Sequence, residues 1–333
     1  MKARFAPDDI TGEVAVITGA SRGLGLLLAH ELARQSVRLV ICARDSEELS
    51  RAASELRAAG AEVTPVAADL DEAGTPERLI GTAVQQYGRL DILVNNAGLI
   101  QVGPVQTTTA RDYETAVRTM ALAPVRITLA ALPVMREQGH GRIVNITSIG
   151  GKVSVPHLLP YCVAKFGAVA FSEGLRAELG RGPVTVTTVV PGLMRTGSHL
   201  NAEFSGRQDA EFTWFSLGAS LPLLSMDAER AARQIVAAMR RRRAELILTP
   251  LGQLAARGAG VIPGLTSLLL QATDRLLPAA EDGSQDTARG GQLRPALNRR
   301  VFDRLTTLGR AAARQFNQGE ARQFNQGEVS QAR

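Results

Sequence analysis

Short apolar runs alternate with amphipathic stretches over the first 250 residues. The runs VAVIT, VRLVICA, AEVTPVA, DILVNN, RIVNIT and VTVTTVV are separated by segments rich in Ala, Leu and Arg. Strands buried on both faces and joined by helices read this way, so the pattern predicts an α/β fold built on a doubly wound parallel sheet. A last short strand, AELILTP, closes the series near Pro250. Beyond it, GAGVIPGLTSLLLQATDRLLPAA predicts a C-terminal helical extension over 251–280, interrupted by Pro263 and charged at Asp274 and Arg275, too short to span a bilayer. Two roles stay open for it: a cap over a substrate cleft, or a helix making peripheral membrane contact through 258–280. After Ala280 the composition turns to Gly, Gln, Arg and Asp, so 281–333 is expected to be a flexible tail, although PALNRRVFDRLTTLGRAAARQF can form one exposed helix. The octapeptide ARQFNQGE is copied in tandem at Ala313 and Ala321, too few copies for a solenoid.

Composition adds limits. A length of 333 residues and 45% apolar content suit one large domain with an appendage. The net charge of +6 is mostly scattered among acids. Its one concentrated run, Arg240 to Arg243, ends a predicted helix, where the dipole favours cations, and no nucleic-acid motif accompanies it. No nucleic-acid partner is expected. Cys42 falls in a predicted strand and Cys162 at a helix start, without metal-ligand spacing or a disulfide framework, so no metal is expected and a reducing compartment is favoured. The opening residues contain no apolar run of signal-peptide length, and a cytoplasmic location is expected.

Candidate chemistry begins after the first strand, in TGASRGLG. Gly19, Gly23 and Gly25 are spaced TGxxxGxG rather than GxGxxG, in a strand-turn-helix context where glycines let the backbone approach a pyrophosphate at a helix N-terminus. Ser21, Arg22 and Leu24 complete this candidate nucleotide turn. The second strand ends VICARDS, placing Arg44 where a site for NAD presents a carboxylate to the ribose. Arg22 and Arg44 together suit the 2′-phosphate of NADP(H). The alternative is that Arg44 is an ordinary surface residue and Asp45 serves the ribose. Further on, Tyr161 and Lys165 are four residues apart, on one face of a predicted helix. A neighbouring ammonium stabilises a phenolate, so Lys165 is expected to draw the Tyr161 pKa down toward neutrality.

TGASRGLG, NNAG at Asn95 to Gly98, Ser148, YCVAK and PGLMRT at Pro191 to Thr196 together resemble the short-chain dehydrogenase/reductase family, in order and at family spacing over residues 10–250. The resemblance implies a Rossmann-type NADP(H)-binding catalytic domain over 10–250. It implies that Tyr161 exchanges a proton with a carbonyl or alcohol oxygen, that Ser148 hydrogen-bonds that oxygen, with Thr147 as the strand-end alternative, and that Lys165 also holds the nicotinamide ribose. Asp69, followed by Leu70, matches the position contacting adenine; Asn96, Ala97 and Gly98 match the turn lining the cofactor; Pro191, Gly192 and Thr196 match the loop that fixes the carboxamide. A small-molecule substrate and a homodimer or homotetramer are expected.

One departure stands out. Where the family places an Asn twenty-eight residues before the serine, this chain has Met120, with Pro124 four residues on. A thioether cannot replace an amide in a proton relay, and proline would kink or open the helix. An oxidoreductase therefore stands beside an alternative, a cofactor-binding scaffold or redox-sensing regulator with impaired turnover. The segment after Thr196 carries Phe204, Phe212, Trp214 and Phe215, four of the chain's thirteen Phe, Tyr and Trp residues. They fit either a hydrophobic substrate (lipid, steroid or terpenoid-like) or packing. His157 and His199 are expected to be polar surface residues.

Overall fold

The computed structural model describes residues 9–280 and 286–316. Seven strands form one sheet: β1 (Val14–Thr18), β2 (Arg38–Ala43), β3 (Val63–Ala67), β4 (Ile92–Asn95), β5 (Gly141–Ile146), β6 (Val184–Val190) and β7 (Glu245–Ile247). All pair in parallel, in the order β3-β2-β1-β4-β5-β6-β7, with Val16 opposite both Val40 and Leu93. The winding reverses between β1 and β4, opening a crevice at their carboxyl ends.

Eight helices cross over between or flank these strands: α1 (Gly23–Ala33), α2 (Ser46–Ala58), α3 (Thr75–Tyr87), α4 (Ala110–Val117), α5 (Ala123–Gln138), α6 (Leu159–Leu179), α7 (Gln208–Ser220) and α8 (Ala228–Arg240). Side-chain alternation divides the core into two layers. Ala15, Ile17, Leu39 and Ile41 pack under α1, α2 and α8, while Val14, Val16, Val40 and Cys42 pack under α3 and α5. Fully buried residues such as Leu39 and Ile41 contribute roughly 1.5–3 kcal/mol each, which is why runs this apolar settle as central strands.

The amino end of the sheet is tied by ion pairs. Buried Asp91 accepts from the Val14 amide at 2.8 Å and pairs with Arg89 and His140, and Glu13 pairs with Arg142 at 2.7 Å. Burial pushes the Glu13 carboxyl up, and Arg142 opposes it. That end is structural; the opposite end is left for chemistry.

Between α4 and α5 the helix widens into a π turn, Arg118–Leu122, where the Ala123 amide reaches back five residues to the Arg118 carbonyl. Pro124 has no N–H to give the preceding turn, so the expected local opening takes this form.

The C-terminal part comprises α9 (Pro250–Val261), α10 (Pro263–Asp274), α11 (Arg299–Leu305) and α12 (Thr307–Phe316). The flexible tail expected from residue 281 is corrected over 286–316. Ala288–Arg289 pairs with Glu203–Phe204, which pairs in turn with Gln101–Val102. Phe302 is buried among lid aromatics, and Ala312 and Phe316 join the core layer of α1 and α8. Glycines permit the close approach: a Cβ on Gly309 would stand 2.1 Å from Ser220 Oγ, and one on Gly290 2.0 Å from the His199 carbonyl oxygen. Sequence hid this docking because the segment is charged and carries few apolar anchors. Most of the tandem octapeptide lies outside the described residues.

Candidate active site

The candidate residues gather at the carboxyl end of the sheet: Gly19 to Gly25 after β1, Arg44 after β2, Asp69 and Leu70 after β3, Asn96 to Gly98 after β4, Ser148 after β5 and Pro191 to Thr196 after β6. Tyr161 and Lys165 enter from the first turns of α6.

Close packing shapes the glycine turn. Gly19 has φ 65°, and a Cβ there would lie 2.8 Å from Ala97 Cα; a Cβ on Gly25 would lie 2.1 Å from the Gly19 carbonyl oxygen. Asn96 Nδ2 donates to the carbonyls of Thr18 and Gly19 at 2.9 and 3.0 Å. Thr18 Oγ1 in return accepts from the amides of Asn96 and Ala97 at 3.0 and 3.1 Å. Asn96 thus braces the turn, and Thr18, missed from sequence, is its counterpart. No side chain caps α1, so its first amides face the turn without an internal acceptor. A glycine cradle above an uncapped helix start fits the pyrophosphate of a dinucleotide.

At the end of β2, Asp45 Oδ1 accepts from the amides of Glu47 and Glu48, so that carboxylate caps α2 rather than facing a ribose. Arg44 is exposed and makes no ion pair among the described residues. Arg22 is held by Glu48, at 2.9 Å, and Ser21 Oγ donates to the same carboxylate at 3.2 Å. Glu48 was missed from sequence; its signal is a glutamate one turn ahead of buried Ala52 on the same helix face. Asp69 Oδ1 accepts from the Asp71 amide, turning the loop after β3, and Leu70 is buried beside it.

The catalytic candidates converge. Ser148 Oγ accepts from the Gly150 amide at 3.0 Å and lies near enough to the Tyr161 phenol to lower its pKa. Thr147, the alternative, is turned into the sheet, its hydroxyl donating to the Val189 carbonyl at 2.6 Å. Lys165 Nζ lies 5.7 Å from the centre of the Tyr161 ring and donates to the Ile146 carbonyl at 2.9 Å. Burial dominates both groups. It pushes the Tyr161 phenol up to about 12, against the lowering effect of Ser148, and the Lys165 ammonium down to about 8. The expected lowering of Tyr161 by Lys165 is not seen: desolvation sets the direction of the shift, and the opposing effect comes from Ser148.

Beneath them runs a polar chain that sequence reasoning missed. Asn95 Nδ2 donates to Thr128 and Asn145, Asn145 Nδ2 donates to Ser172, and Ser172 meets Thr188. Asparagines inside otherwise apolar strands are its sequence signal. Met120 is buried against Ala116, Ala164 and Tyr161, with its sulfur beside Gly98. The Pro191 carbonyl accepts from the Ile149 amide, Gly192 lies against Thr249, and buried Thr196 accepts from the Ser198 amide.

The lid, the segment after Thr196, decides between the two roles left open for its aromatics and corrects the expectation for the histidines. Phe204, Phe212 and Phe215 turn inward around Phe302, with Phe212 and Phe302 ring centres 5.8 Å apart; they are packing, and Trp214 stacks edge-on against Phe215. The two histidines are buried, not on the surface. His157, at φ 61°, meets Glu211 at 2.8 Å, and Glu211 also accepts from Trp214 Nε1. His199 lies near Phe212, and burial lowers its pKa to about 4. Their partners come from α7, more than ten residues away, so spacing gave no sign of them.

Comparison with known proteins places this geometry. The short chain dehydrogenase family model matches residues 13–204. A putative ketoacyl reductase of Streptomyces coelicolor is 39% identical over 55% of this chain and 71% of its own. Dehydrogenase/reductase SDR family member 7B of Bos taurus is 30% identical over 80% of this chain and 82% of its own. Among solved structures, an actinorhodin polyketide ketoreductase with NADPH superposes with a TM-score of 0.62 at 32% identity, over 73% of this chain and 97% of that one. The chain belongs to the short-chain dehydrogenase family and is an oxidoreductase of carbonyl and alcohol groups.

Proposed function

We propose that the protein is an NADP(H)-dependent reductase of a carbonyl on a hydrophobic small molecule, with Tyr161 as general acid/base. The observation that carries this reading is the convergence of Ser148, Tyr161 and Lys165 at the carboxyl end of the sheet, with Ser148 near enough to lower the phenol's pKa and Lys165 Nζ 5.7 Å from the ring centre. Support for the 2′-phosphate comes from Arg22 and Arg44 and from the engagement of Asp45 in capping α2. A related ketoreductase was solved with NADPH. Apolar substrates are suggested by relatives named as ketoacyl reductases and an estradiol 17-beta-dehydrogenase of Mus musculus.

The glycine turn and the amides of α1 would hold the pyrophosphate, Lys165 the nicotinamide ribose, and Thr196 the carboxamide. A bound nicotinamide supplies the hydride or takes it back. In reduction, the Tyr161 hydroxyl gives its proton to the carbonyl oxygen while Ser148 steadies that oxygen. The resulting phenolate is stabilised by Lys165, whose pKa of about 8 keeps it largely cationic at neutral pH. In oxidation the phenolate takes the alcohol proton.

Leu122, Leu129, Val163 and Phe166 are exposed along the long helix that includes α5 and along neighbouring α6, which supports self-association through these helices. Two buried, unpaired cysteines suit a reducing, cytoplasmic setting.

The test is Tyr161→Phe, which keeps the ring and deletes the transferable proton. NADPH should still bind, monitored by its fluorescence, while turnover of a ketone substrate falls about 10²–10⁴-fold. Near-normal turnover would refute the assignment. A second reading, a cofactor-binding scaffold, draws on Met120 packed against Tyr161; it is upheld if the unaltered protein binds NADPH yet turns over no ketone across a broad panel.

A further inference from the structure

Among the described residues, nothing is folded over the face presented by α9 and α10. No residue of α10 is buried, and in α9 only Gly252 is. On α10, Leu265, Leu268 and Leu269 recur at helical spacing and stand in solvent, Leu268 63% exposed, and Leu276 follows in the turn after the helix, 87% exposed. Val261 and Ile262 continue the apolar surface across the bend between the helices. From Pro250 to Gln271 the sequence carries a single charge, Arg257. A contiguous apolar face with so little charge marks a contact surface.

We infer that the α9–α10 hairpin docks on an anionic lipid bilayer, its leucine stripe entering the headgroup boundary. The apolar face and its flanking charge select this occupant. A planar interface accepts an unburied apolar helix face directly. Exposed Arg257 and Arg275, which make no ion pair among the described residues, complement anionic headgroups, while the Asp274 carboxylate is turned toward His157, 3.6 Å away. A second copy is the poorer fit, because exposed Leu129, Val163 and Phe166 on α5 and α6 already offer apolar side chains for self-association. The anchoring points lie beside the cleft. Gly252 packs near Ile149, just after Ser148, and Asp274 reaches the loop that leads into Tyr161. Docking therefore sets the mouth of the site at the surface where apolar carbonyl compounds collect. This surface is independent of the catalytic assignment.

The test uses the full chain in vesicle flotation, with phosphatidylcholine alone and with added phosphatidylserine. The unaltered protein should float with the mixed vesicles. The triple variant Leu265→Ser, Leu268→Ser, Leu269→Ser should lose roughly 10²-fold in partitioning, with its melting temperature and its turnover of a water-soluble ketone unchanged. Arg257→Gln with Arg275→Gln should reduce binding to the mixed vesicles only, and added salt should do the same to the unaltered chain. Failure of the unaltered protein to float with either vesicle, or equal flotation of the triple variant, overturns the inference. So does a shift from a larger to a smaller species in sedimentation velocity when the leucines are replaced in a chain that does not float, which would assign the face to a second copy.

Discussion

At Lys165 burial and catalysis pull in opposite directions. The ammonium has to be charged to stabilise the Tyr161 phenolate, yet burial lowers its pKa to about 8. For carbonyl reduction, kcat/KM reports the free enzyme, so it should fall as pH rises through about 8, well before the phenol, pushed up to about 12, begins to ionise. A pH series of kcat/KM checks this. Stability should move the other way. Below about pH 8 the folded protein holds a buried charge that the unfolded chain hydrates; from about 8 to 10.5 the unfolded chain binds more protons, so stability should rise over that window. Replacing Lys165 by Met should flatten the rise in denaturant titrations. Tyr161 and Lys165 were legible because four residues on one helix set their relative geometry, while Ser148 came from the family resemblance. The Arg22–Glu48 and His157–Glu211 pairs, 26 and 54 residues apart, needed the fold to be seen.

Among the elements, the helix interrupted by the π turn is the most informative. Met120 sits inside that turn, buried against the Tyr161 ring, and its side chain offers no donor. If proton delivery to Lys165 limits the rate, Met120→Asn should raise kcat up to about 10²-fold without changing the KM for NADPH. An intact variant with unaltered kcat and pH profile would show that delivery at this position does not limit the enzyme. The central strands were legible because buried parallel strands write themselves as unbroken apolar runs, and the half-exposed edge strands Val63–Ala67 and Glu245–Ile247 as shorter β-rich ones. The two-residue strands Gln101–Val102, Glu203–Phe204 and Ala288–Arg289 were not, since two residues carry no periodicity.

For the whole molecule, the decisive feature is the return of residues 286–316 onto the lid and α1. The Arg294 amide donates to Asp209, the Ala296 amide donates to Thr213, and Phe302 fills the space between Phe212 and its neighbours. Truncation after Ala280 should therefore lower the melting temperature clearly. Phe302→Ala alone should cost about 3–5 kcal/mol in denaturant titration if the lid unfolds with the domain. An unchanged midpoint in both would show the segment to be energetically idle. The family resemblance gave no hint of this, because it ended at residue 250 and the remaining chain offers its few phenylalanines, Phe302 among them, scattered among arginines. The order of synthesis gives the same contact another meaning. Phe212 leaves the ribosome ninety residues before Phe302, so a nascent chain with every catalytic side chain in place still shows a raw aromatic hollow where its lid will close. Until residues 286–316 emerge, that hollow stays uncovered, an apolar surface open to misassociation during synthesis.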